Sequence, residues 1–189
     1  LAVKAHGMSP FATTYIRFAK AISAGVAPTD HVMYETSVRV TPAGGAESLA
    51  RVVEPYFDRS WRHFSSHFQT PPDKVSRFSA AVQNRRVAYI AYPIFTAFAR
   101  HGNAPFRMLV RNVLDRLLPE PLLRVDGPTS METSVTRQGK RTIVHLLQYA
   151  PERRTEKLDL IEDIVPVFDV PMSVKAAKKP TRVYAAPEK

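Results

Sequence analysis

The residues best equipped for chemistry lie together, between Phe57 and Pro72. This stretch holds Phe57, Trp61, Phe64 and Phe68 beside Arg59, Arg62, His63 and His67. His63 and His67 are four apart, which on a helix would place both imidazoles on one face, as a metal site requires. No carboxylate lies between them to act as a base, and Ser65-Ser66 and Pro71-Pro72 oppose a regular helix. Ser65 or Ser66, with either histidine and Asp58, has the residue types of a nucleophile triad. Neither serine sits in a Gly-x-Ser-x-Gly elbow. Glu54, Asp58 and Asp73 lie nearby, but nothing in their spacing separates an acid from a base. They read better as surface charges or as partners for a nearby arginine.

Sugar contact is the remaining chemistry. An indole ring suits the apolar face of a pyranose, and Arg59 and His63 can donate hydrogen bonds to hydroxyls. Arg59, Trp61, His63 and His67 are therefore the candidate substrate or interface contacts. The preferred reading of Trp61 itself is that it anchors a long ordered loop to the core. Elsewhere, His101-Gly102-Asn103 reads as a helix cap and turn, His145 as a structural strand residue, and Gly44-Gly45 as a hairpin turn. No residue set points to a cofactor or a metal.

Composition limits the alternatives. With 189 residues, 44% hydrophobic and 23% charged, the chain can build a core. It has no cysteine, which excludes a disulfide framework, a thiolate metal site and a cysteine nucleophile. The net charge of +10 raises nucleic-acid binding. The basic residues are dispersed, however, with one cluster at Lys175, Lys178, Lys179 and Arg182, so a solvated basic surface is the preferred reading. No stretch of eighteen apolar residues suggests a membrane span. The start at Leu1, with no basic-then-apolar leader after it, suggests a piece of a longer protein. The compartment, bacterial cytoplasm or periplasm, is left open.

The elements that must position the loop follow from periodicity and punctuation. Ser9-Pro10, then Phe11, Tyr15, Phe18 and Ile22, predict a helix over 10–23. Strands are expected over 34–41 and 47–56, and over 79–83 and 87–92 around an Asn84-Arg85-Arg86 turn. Pro93 opens a helix that stops at His101-Gly102-Asn103, and a second helix runs from Ala104-Pro105 towards Leu118. Beyond Pro121 the pattern is all strand: 122–125, a hairpin of 131–137 and 140–149 around Gln138-Gly139, and edge strands at 164–167, 170–175 and 181–185.

Several of these segments in order resemble a known family. They are PYFDRSWRHFSSHFQTPP from Pro55, RRVAYIAYPIFTAFARHGNAPFRMLVRNVLDRLLPEPLLRV from Arg85, TIVHLLQYAPERR from Thr142 and IEDIVPVFDVPMSVK from Ile161. The pattern resembles the C-terminal half of bacterial glycoside hydrolases with a β-galactosidase-type trimerisation domain, of the galactosidase-like or fucosidase-like kind. The resemblance implies an incomplete α/β, amidotransferase-like domain over 1–120 and a small all-β, sandwich-like domain over 121–189. It implies a homo-oligomer, a trimer by analogy, with the catalytic barrel absent from these residues, since a barrel alone takes about 250 residues. The expected role is a non-catalytic assembly or accessory region without activity of its own. The alternatives are a stand-alone carbohydrate-binding module built on the Trp61 loop, a basic nucleic-acid-binding domain, and a small hydrolase using the His/Ser loop.

Overall fold

A computed structural model describes residues 2–153 and 155–186. The chain divides into two compact units, Leu1–Pro119 and Glu120–Lys189. In the first, the strands are β1 (Val3–Met8), β2 (Thr14–Phe18), β3 (His31–Met33), β4 (Val38–Pro42), β5 (Glu47–Pro55), β6 (Pro72–Asn84) and β7 (Val87–Ile90). Two consecutive helices follow, α1 (Ile94–His101) and α2 (Ala104–Leu117). Five strands form one sheet in the order β3-β2-β5-β6-β7, while β1 pairs with β4.

This architecture overturns the expected α/β, amidotransferase-like fold. Every strand pairing in the unit is antiparallel. An α/β fold of that kind needs parallel strands joined by crossover helices, whereas here both helices come after the last strand.

The helix expected over 10–23 is also absent. Its segment forms β2 and a short 3₁₀ turn, Lys20–Ile22. Thr14, Tyr15 and Ile16 are all buried, so both faces of the strand are covered, between β3 and β5. Two β-branched residues in an interior strand outweigh an apolar spacing that also fits a helix. The Ser9 hydroxyl accepts a hydrogen bond from the Phe11 amide at 3.2 Å, which makes a local turn and caps no helix.

The helical hairpin forms as its punctuation predicts. Pro93 precedes α1, Gly102 ends it at φ 63°, and Pro105 sits in the first turn of α2. Phe106, Leu109 and Val113 bury one side of α2 in a core with Ile16, Leu49 and Phe78. Asn112 is buried beside them. Its amide donates to the carbonyls of Ile22 at 2.7 Å and Ala24 at 2.9 Å, tying the helix to the 3₁₀ turn.

A second polar anchor is Tyr92. Its hydroxyl lies 2.7 Å from Thr14 Oγ1 in the core. Burial pushes the phenol up to about 12, and the nearby hydroxyls of Thr14 and Ser37 offset part of that rise. Burial raises Tyr15 as well. A phenol whose folded pKa is raised stabilises the fold fully below the unfolded value of about 10, and that contribution is lost as pH climbs towards the folded value. Above pH 10, Tyr92 should therefore cost stability with a slope approaching about 1.4 kcal/mol per pH unit. Urea midpoints measured from pH 9 upwards should fall more steeply for the wild type than for Tyr92→Phe. Parallel curves would contradict the assignment.

The second unit is β-rich. Its strands are β8 (Leu123–Val125), β9 (Met131–Gln138), β10 (Arg141–Gln148), β11 (Glu152–Arg153), β12 (Asp159–Leu160) and β13 (Met172–Val174). They pair two by two and antiparallel: β9 with β10, β11 with β12, and β8 with β13. The β9–β10 hairpin turns at Gly139, whose φ of 57° suits glycine. The strands expected at 164–167 and 181–185 do not form. Pro166 offers no amide to a partner, and the second segment is bend and irregular chain. Among the described residues no helix is long and apolar enough to cross a membrane.

Candidate functional site

The aromatic loop is the connection from β5 to β6. It contains bends but no helix, so His63 and His67 do not acquire helical register. Its base is pinned at several points. The Tyr56 amide donates to the Pro71 carbonyl at 2.9 Å. The Thr70 hydroxyl donates to the Phe57 carbonyl at 2.6 Å, and the Tyr15 hydroxyl to the Thr70 carbonyl. The Tyr34 hydroxyl donates to Gln69 Oε1 at 3.2 Å, and its ring lies 5.8 Å from Phe68. Midway, Ser60 and His63 close a small turn: the Ser60 amide donates to the His63 carbonyl and the His63 amide to Ser60 Oγ.

The tip is held outward. Trp61 is 85% exposed and Phe64 74% exposed. Trp61 therefore does not anchor the loop to the core, which corrects the preferred reading of this residue. The Arg62 guanidinium covers its ring at 4.8 Å, and Arg59 lies 5.7 Å from the Phe64 ring. Such cation–π contacts contribute on the order of 0.5–1 kcal/mol at exposed sites. They orient the rings and the cations together. His63 leans on Phe57 at 5.8 Å, and His67 is exposed.

The other chemistries do not assemble. No hydrogen bond joins Ser65 or Ser66 to His63 or His67 among the described residues, nor does any cluster of three His, Asp or Glu form there. Glu54 is engaged with Arg39 at 2.9 Å, which fulfils the arginine-partner reading. Asp58 and Asp73 lie at the surface. The loop is thus an aromatic and cationic rim, suited to stacking and hydrogen bonding but without a nucleophile and base in contact. Tyr56, 72% exposed and 6.0 Å from the Phe57 ring, belongs to the same rim. Its place directly after the mostly buried strand β5 hid it in the sequence, and the directly following aromatic was the available signal.

Comparison with known proteins bears on the fold. No protein-family model matches the chain, and no curated protein does so by sequence. Among solved structures, the α-L-fucosidase isoenzyme 2 from Paenibacillus thiaminolyticus is similar, with a TM-score of 0.85 and 28% sequence identity. The similarity covers 92% of this chain and 27% of that chain, so these residues span about a quarter of the fucosidase. The chain has a fold that is part of a glycoside hydrolase.

Proposed function

We propose that the chain is a non-catalytic accessory region of a glycoside hydrolase acting on α-L-fucosides or related glycosides, and that its Trp61 loop touches sugar or an adjoining subunit. The observation that carries this reading is the fucosidase similarity: nearly the whole chain corresponds to a minor part of a hydrolase. The pinned, solvent-facing rim of Trp61, Phe64 and Arg59 supplies the contact chemistry, and the lack of any hydrogen bond between its serines and histidines among the described residues argues against a hydrolytic centre of its own. One face of the indole is covered by Arg62, which leaves the other for a pyranose. The test is turnover of an aryl α-L-fucoside. The intact gene product is expected to hydrolyse it, and the isolated 189-residue chain is not. Turnover by the isolated chain that His63→Ala or His67→Ala abolishes would overturn the proposal.

The stand-alone carbohydrate-binding module is the second reading, favoured by the exposure of Trp61. Trp61 is the sole tryptophan, so its emission reports on this loop alone. Saturable quenching or a blue shift of the isolated chain with L-fucose would favour this module.

A further inference from the structure

The arginines of the Trp61 loop are satisfied differently from others in the first unit. Arg17, Arg39, Arg100 and Arg116 each hold a carboxylate at 2.9 Å or closer. Among the described residues no ion pair joins Arg59 or Arg62 to a carboxylate, although Asp58 is next to Arg59 in the chain. Each lies against an aromatic ring instead, Arg62 over Trp61 and Arg59 beside Phe64. A guanidinium on a ring uses its face, and the N–H donors around its edge stay available. Arg59, Arg62, His63 and His67 are all exposed, and Asp58 is the one acid between Phe57 and Gln69.

The result is an aromatic platform edged by cationic donors that the fold does not neutralise. Neutral hydroxyls do not require that charge, since an amide or a carboxylate serves them as well. A forked guanidinium matches the paired oxygens of a sulfate or a carboxylate. We propose that the ligand of this loop is an anionic saccharide, with a pyranose stacked on Trp61 and its sulfate or carboxylate group met by Arg59 and Arg62. The inference rests on the reading of the loop as a sugar contact and adds the charge of that sugar. A nucleic acid suits the loop less. It is bound by tracks of cations that follow many phosphates, whereas these two guanidiniums lie within four residues of each other. The fold, moreover, is part of a glycoside hydrolase.

Isothermal titration calorimetry of the 189-residue chain compares four probes at low salt. They are a sulfated fucose oligosaccharide, an oligogalacturonate, a neutral fucose oligosaccharide of the same length, and an oligothymidine of matching charge. The sulfated or the carboxylated probe should bind at least about tenfold more tightly than the neutral one. Its binding should change the emission of Trp61, the sole tryptophan, and should weaken as salt is raised. The double variant Arg59→Gln with Arg62→Gln should lose the advantage, and far-UV circular dichroism checks that it is folded. Whichever anionic probe binds more tightly names the group, a sulfate ester or a uronate. A neutral probe bound as tightly as the anionic ones, or an advantage that survives the double variant, would overturn the inference and leave the sugar contact standing. An oligothymidine bound as tightly as the saccharides would overturn it in favour of a nucleic acid. No saccharide bound, with Trp61 emission unchanged, would overturn the sugar reading of the loop together with it.

Discussion

Trp61→Ala in the intact gene product is expected to lower kcat/KM for an aryl α-L-fucoside by roughly thirty-fold, the equivalent of about 2 kcal/mol for truncating a tryptophan at the centre of a contact. The change should fall mainly on KM, because a stacked ring holds ground state and transition state alike. Thermal stability should hardly move, since the ring is 85% exposed and contributes no core packing. Arg62→Ala should reproduce a smaller part of the effect, because that guanidinium lies over the indole at 4.8 Å and fixes its orientation. Kinetics measured beside the oligomeric state separate the two roles proposed for the loop. A fall in activity at constant assembly places sugar at Trp61, and a fall in assembly places a neighbouring subunit there. No change in either would remove the loop from the account.

The largest effect on stability is expected from Phe106→Ala. This ring is 2% exposed and sits where α2 meets the sheet. Removing it should cost about 3–5 kcal/mol, the lost transfer energy plus the cavity left behind. Domains of this size are stable by only about 5–15 kcal/mol, so the variant would lie close to unfolding at 37 °C. Chemical denaturation of Phe106→Ala against Phe106→Leu measures it. A loss below about 1 kcal/mol would mean that the α2 contact is looser than the packing indicates.

How much of this could be read from the residues differs by element. The helical hairpin was legible because proline and glycine punctuate it: Pro93, Gly102 and Pro105 stand where a helix start or stop demands them. The β9–β10 hairpin was legible through Gly139, and its register pairs Met131 with Gln148 across eight residues. The segment from Phe11 to Ile22 misled because its apolar spacing fits both a helix face and a strand covered on both sides, and only the neighbours β3 and β5 decide between them. Most of β6 was missed for a related reason. Pro72 to Arg77 is largely exposed and charged, and pairing with β5 extends the strand well before its apolar half begins at Phe78. The fold class failed at a different step. The family resemblance carried an amidotransferase-like expectation that no periodicity in the chain supported.

The loop was legible as an irregular, aromatic, cationic segment, and the proline pair and serine pair account for that. Its direction was not. Whether Trp61 faces the core or solvent depends on hydrogen bonds from Tyr15 and Tyr34, residues distant in the chain whose partners Thr70 and Gln69 carry no sequence signal.

The central claim is that these residues serve a hydrolase larger than themselves. Its most direct test is the size and activity of the native gene product, followed through fractionation with an antibody against this chain. The account predicts one polypeptide of which these residues make up a minor part, as they do of the fucosidase at 27%, eluting together with α-L-fucoside hydrolysis. A native product of 21.2 kDa that separates from all glycosidase activity would contradict it.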